Sequence, residues 1–217
     1  MTTKRSDITM ILDRSGSMRS KQQMAIASFN SFLKTQQETA GDAVFSCLQF
    51  NRRLNQLCQA IPFEQAIPLD QANYVPGGGT ALLDALGHTI TKTKARTAEG
   101  KNTQVVIVVI TDGMENSSRI FTAEMIRELI QECESNFHWR FVFLAAGPDS
   151  FRQHRRYGLD SKRALLSGQG PEGYRHSMDL VSRKMAAMRK SGKVTDLEFA
   201  DEERRVATDL DNKKNRG

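Results

Sequence analysis

The run Val105-Val106-Ile107-Val108-Val109-Ile110-Thr111 constrains the fold more than any other stretch of the chain. Every residue in it is β-branched, which favours extended backbone, and no polar side chain alternates with the apolar ones. Neither face of such a strand meets water, so it belongs in the middle of a parallel sheet covered by helices on both sides. The flanking segments supply that architecture. Residues 7–12 read as a second buried strand, followed by turn chemistry. Residues 20–37 carry Ile26, Phe29 and Leu33 at helical spacing, with Phe32 beside them. Residues 44–50 and 54–61 read as two strands, with Asn51-Arg52-Arg53 turning one back on the other.

A loop broken by Pro62, Pro68 and Pro76 ends in Gly77-Gly78-Gly79-Thr80, and residues 81–94 then read as helix. Residues 122–134 predict a helix with Met125, Ile126, Leu129, Ile130 and Cys133 on one stripe. Residues 140–146 predict a buried strand, followed by an irregular stretch and a short strand near 164–166. Tyr174, Met178, Val181, Met185 and Met188 form one seam of a last helix over 174–190, read as core packing. Strands alternating with helices give an α/β, doubly wound fold. The expected sheet is mostly parallel and six-stranded, with one antiparallel edge strand and helices on both faces.

With 217 residues, 39% of them apolar, the chain has enough material for one good-sized core without disulfides or a structural metal. The domain is expected over residues 6–190. Residues 191–217 read as a charged, partly disordered tail in which 199–210 have helical character. No stretch approaches the ~20 apolar residues of a membrane span. Met1-Thr2-Thr3-Lys4-Arg5 leads straight into a strand without a signal-peptide core. Cys47, Cys58 and Cys133 are odd in number and lack CxxC spacing, so a reduced, cytoplasmic setting is expected.

The net charge of +6 is unevenly placed. Residues 1–136 hold 14 basic and 14 acidic side chains, and residues 137–217 hold 17 and 11. Arg152, His154, Arg155, Arg156 and Tyr157 form the densest basic cluster. Nucleic-acid binding through this C-terminal third is the alternative reading, although no nucleic-acid motif accompanies the charge.

In an open α/β sheet, ligands bind beyond the carboxyl ends of the strands. Three oxygen-rich segments stand there: Asp13-Arg14-Ser15-Gly16-Ser17, Gly77-Gly78-Gly79-Thr80 and Thr111-Asp112-Gly113. Their donors, on Asp13, Ser15, Ser17, Thr80 and Asp112, are all hard oxygens. Such a set favours Mg²⁺, with Mn²⁺ or Ca²⁺ as alternatives, over zinc or copper. The competing explanation is local: Ser15, Ser17 and Thr80 as helix caps, and Asp112-Gly113 as a plain strand-end turn. Asp84 reads as a helix N-terminal charge, and Glu115 and Asn116 as loop residues near the rim.

This order of motifs, each after its strand, resembles the metal-ion-dependent adhesion site of von Willebrand factor type A domains. The resemblance covers about residues 6–190 and is nearest to the small stand-alone cytoplasmic versions of bacteria and phages. It implies a Rossmann-like fold and hydroxyl ligands from Ser15, Ser17 and Thr80. It also implies Asp13 and Asp112 acting largely through bound water, and an open metal position for the Asp or Glu of a partner protein. The expected function is therefore a non-enzymatic, metal-dependent protein-binding module within an intracellular bacterial or phage complex. A MoxR-type AAA+ ATPase is the partner class the resemblance suggests. A phosphoryl-transfer enzyme with Asp13 as nucleophile is the remaining alternative. Haloacid-dehalogenase enzymes, which begin this way, place a second carboxylate two residues later, where this chain has Ser15.

Overall fold

A computed structural model describes residues 4–98, 103–168 and 170–205. Six strands form one sheet in the order β3-β2-β1-β4-β5-β6. They are β1 (Arg5–Asp13), β2 (Ala43–Phe50), β3 (Leu54–Pro62), β4 (Thr103–Thr111), β5 (Arg140–Ala146) and β6 (Ala164–Ser167). β1 pairs in parallel with both β2 and β4, and β5 continues the parallel set between β4 and β6. β3 runs antiparallel to β2 at the edge, with two register shifts around Cys47. A two-residue side-chain period splits β4 between two cores. Val106, Val108 and Ile110 join the layer under α1 (Gln22–Gln37) and α5 (Pro171–Ser191). Val105, Ile107 and Val109 join the layer under α2 (Leu82–Thr97) and α3 (Ala123–Asn136).

The helices follow the expected order with two differences. The first helix opens as a 3₁₀ turn, Gly16–Lys21, before α1 begins. The stretch after β5, expected to be irregular, contains α4 (Pro148–Arg156). Its buried residues are Ser150, Gln153 and His154, so it offered no apolar period to read. In α3, Met125 leaves the expected stripe and is exposed, while Ile126, Ile130 and Cys133 are buried. The methionine seam of α5 is buried throughout.

Packing runs past residue 190. After α5 stops at Gly192, which takes the left-handed conformation, Leu197 and Phe199 bury themselves in the α1/α5 core. Residues 201–205 are helical, whereas 199 and 200, expected to begin that helix, are not; residues 206–210 and the expected disordered end lie outside the described residues. Cys47, Cys58 and Cys133 are free thiols. No described helix is long and apolar enough to cross a membrane.

The basic C-terminal third is partly structural. Arg163 is buried between Glu134 and Asp160, and Arg189 donates to the Gln36, Thr39 and Gly41 carbonyls. Within the 152–157 cluster, His154 and Tyr157 face inward, while Arg152, Arg155 and Arg156 are exposed on one face of α4.

Candidate metal centre

The parallel register brings the carboxyl ends of β1 and β4 side by side, and the three oxygen-rich segments meet there. Asp13, the last residue of β1, is fully buried. Its Oδ1 accepts from the Ser15 backbone N–H at 2.7 Å, and its Oδ2 accepts from the Thr111 hydroxyl at 2.6 Å. Ser15 begins the 3₁₀ turn without capping it, which leaves its hydroxyl 3.0 Å from that of Ser17. The Ser17 hydroxyl in turn donates to Asp112 Oδ1 at 2.6 Å. Thr80 does not cap α2, whose N-cap residue is Ala81. The Thr80 hydroxyl and Asp13 Oδ2 lie 2.8 and 3.5 Å from the point where a Cβ on Gly113 would stand. All five expected residues therefore converge, and the capping explanation for Ser15 and Thr80 fails.

Glycines let the loops approach this closely. The Gly16 N–H donates to the Gly78 carbonyl at 2.9 Å, and Gly78 has φ +81°, a conformation glycine adopts without a Cβ penalty. A Cβ on Gly79 would stand 2.1 Å from the Ser117 hydroxyl. Asn51, from the β2–β3 turn, ties this loop down by donating to the Gly77 carbonyl and accepting, through its own carbonyl, from the Ala81 N–H.

The rim residues hold the far side of the site. Glu115 accepts from the N–H groups of Leu83, Ser117 and Ser118 and from the Ser118 hydroxyl. Asn116 accepts from the Thr80 N–H. Asp84 accepts the backbone N–H groups of Arg119, Ile120 and Phe121, each at 2.9 Å. Burial would raise the Asp84 pKa, but these three donors outweigh it and hold the carboxyl below its ordinary value. Asp84 is therefore a loop clamp. α4 supports the same loop from behind: Ser150 donates to the Asp112 carbonyl, and Gln153 bonds Gly113 and Glu115.

Several functional contacts had no sequence signal of their own. Lys21 Nζ lies 2.6 Å from Asp112 Oδ2, and the Asp112 side chain is only 1% exposed. Lys21 reaches it because the 3₁₀ turn ends there; its place four residues after Ser17 was the available clue. The Tyr74 hydroxyl donates to the Asp13 carbonyl at 2.6 Å. Burial pushes the Asp13 carboxyl above its ordinary value, against its hydrogen bonds from Thr111 and Ser15, and the nearby Asp112 charge adds to the rise.

These residues fit a divalent cation on three grounds. Hard oxygens converge, two buried carboxylates lie close enough for the charge of one to act on the other, and an ammonium already stands against one of them as a counter-charge. The fully buried Tyr174 hydroxyl, close enough to feel both carboxylates, has no hydrogen-bond partner among the described residues. No group of three or more His, Cys, Asp or Glu residues that could hold a metal ion occurs among the described residues.

A family model described as von Willebrand factor type A domain matches residues 7–164. No curated protein matches the chain in sequence. Among solved structures, manganese-loaded TRAP protein from Plasmodium vivax is 16% identical with a TM-score of 0.61, covering 83% of this chain and 73% of that one. Proximal thread matrix protein 1 from the mussel byssus, with a zinc-occupied MIDAS motif, is 16% identical with a TM-score of 0.59, covering 85% and 46%. A von Willebrand factor type A protein from Catenulispora acidiphila is 17% identical with a TM-score of 0.57, covering 86% and 43%. The chain thus spans less than half the length of the mussel and Catenulispora proteins. At these identities the likeness establishes the fold.

Proposed function

We propose, from the premise that the chain belongs to the von Willebrand factor type A family, that it is a non-enzymatic module binding a partner protein's Asp or Glu through a divalent cation. The observation that carries this reading is the convergence of Asp13, Ser15, Ser17, Thr80 and Asp112 at the carboxyl ends of β1 and β4. Ser15, Ser17 and Thr80 would hold the cation by their hydroxyls, with Asp13 and Asp112 balancing its charge. When bound, the cation supplies an electrophilic position for a carboxylate. The protein's own part is to keep that position pre-formed: Glu115, Asn116 and Asp84 fix one wall, and the Gly77–Gly79 loop fixes the other.

Asp13 is poorly placed as a phosphoryl-accepting nucleophile. Both of its oxygens already accept hydrogen bonds, and the residue is 0% exposed. Hard-oxygen chemistry favours Mg²⁺, while the manganese and zinc named in the two relatives' descriptions place both ions in the test. A cytoplasmic bacterial or phage complex, with a MoxR-type AAA+ ATPase as partner, is the setting we propose from the resemblance.

Calorimetric titration of the chain with Mg²⁺, Mn²⁺ and Zn²⁺ tests the reading, with Asp112→Ala as control. Saturable binding lost in the variant, with a metal-dependent rise in wild-type Tm, is the expected result. Equal binding by both proteins would overturn it.

A further inference from the structure

Arginines from three successive segments gather on the loop that carries Thr80. Arg52, from the β2–β3 turn, places Nε 3.2 Å from where a Cβ on Gly79 would stand. Arg19, from the 3₁₀ turn, places Nη2 4.0 Å from the corresponding point on Gly77. Arg14, between Asp13 and Ser15, donates from Nη1 to the Val75 carbonyl at 3.4 Å, and its Nε is buried without a hydrogen-bond partner among the described residues. Among the described residues none of the three forms an ion pair. The nearby acids are already engaged: Glu115 and Asp84 by backbone N–H groups, and Asp112 by Lys21.

Like charges crowded on one loop without counter-ions repel one another, and their guanidinium forks suit carboxylates. A dication with Asp13, Asp112 and Lys21 leaves the loaded centre with one formal positive charge. A single carboxylate neutralises that charge and leaves the arginines unanswered. We infer that the partner segment is acidic beyond the residue on the metal, with further Asp or Glu side chains seated on Arg19 and Arg52, and with Arg14 closing the gap between them and the metal. This inference rests on the metal-dependent reading above and adds the class of sequence that the site selects.

The test uses the full chain and two synthetic peptides of equal length in an Ala/Gln background. One carries a single Glu; the other carries the same Glu flanked by Asp two residues away on each side. Binding is followed by fluorescence anisotropy in Mg²⁺ and in EDTA, at low and high salt. The multiply acidic peptide is expected to bind about tenfold more tightly in Mg²⁺, with the advantage shrinking at high salt. In an Arg19→Ala/Arg52→Ala variant the two peptides should bind alike, with Mn²⁺ affinity and single-Glu binding near wild type. Equal wild-type affinities, a preference that survives the double variant, or no binding of either peptide by metal-loaded protein would overturn the inference. An acidic-peptide preference unchanged by EDTA and by Asp112→Ala would instead sink the metal reading and leave the arginine surface standing as an acidic-segment site.

Discussion

The two ends of the β1/β4 pair each hold a buried carboxylate against a cation, and they use it differently. At the amino end, Arg96 grips Asp7 with two donors, at 2.7 and 3.2 Å. At the carboxyl end, Lys21 meets Asp112 with one donor at 2.6 Å. Exposure is nearly the same: 20% for each cation, 5% for Asp7 and 1% for Asp112. Burial therefore does not separate a structural pair from one in the proposed metal centre. The planar fork of Arg96 holds both oxygens of Asp7 from one side chain, and its third nitrogen reaches the Ser46 hydroxyl at 3.4 Å. At Asp112 the two oxygens are held separately, Oδ2 by the Lys21 ammonium and Oδ1 by the Ser17 hydroxyl. Lysine is also the cation that can withdraw along a flexible stem into water.

The contrast can be broken most severely at Arg96. Arg96→Met strands a buried carboxylate, and urea unfolding should show a loss of about 3–5 kcal/mol. Adding Asp7→Leu should recover most of that loss, because a buried ion pair is replaceable by apolar packing. At the other end, Asp112→Ala should weaken Mn²⁺ binding on the order of 100-fold, while costing less metal-free stability than Arg96→Met, because the released Lys21 ammonium can reach water along its flexible stem. A large stability loss there would mean that the carboxyl end is structural too.

Lys21→Met comes next in size. Removing a cation from the centre should raise Mn²⁺ affinity about tenfold, read by paramagnetic resonance titration. Metal-free stability should fall, since two neighbouring carboxylates lose their counter-charge. Unchanged affinity would show that Lys21 already leaves the site when metal enters.

The smallest effect is with pH. Burial holds His154, on α4 behind the Asp112 loop, below its ordinary pKa of 6.5. The neutral ring's contribution is complete above pH 6.5 and is lost as pH falls through its lower folded value. Asp7 has the opposite sign: burial raises its pKa despite Arg96, so the fold takes up its proton more readily than the unfolded chain does. Mild acid should therefore speed hydrogen exchange in α4 and the 113–118 loop before it touches the amino end of the sheet. Uniform loss of protection would count against this assignment.

The same asymmetry explains what was legible in the sequence. Asp13, Ser15, Ser17, Thr80 and Asp112 stand out because each follows a strand or a glycine turn whose local signal is strong. β4 was plain because its apolar run has no polar interruption. Asp7 sat inside a predicted strand without any sign that Arg96 would answer it from 89 residues away. α4 was invisible because its buried face is Ser150, Gln153 and His154, polar groups that pair with loops rather than pack as hydrophobes. Lys21 and the arginine surface were hidden for a further reason: charged side chains declare a partner only when the loops are placed in space. Leu197 and Phe199 were discounted because isolated apolar residues in a charged stretch carry no period.

The distance along the chain between the two halves of the site bears on folding kinetics. Ser17 and Asp112 are 95 residues apart, and they meet only when β4 has docked in register beside β1. Non-local parallel pairing is a slow, late event, because the loop must close before the contact forms. A nascent or half-unfolded chain therefore offers Ser15 and Ser17 without Asp112, and under the proposed function it has no complete centre with which to capture a partner. On that reading, a ligand at the carboxyl ends of β1 and β4 recognises only completed molecules and stabilises them while it is bound.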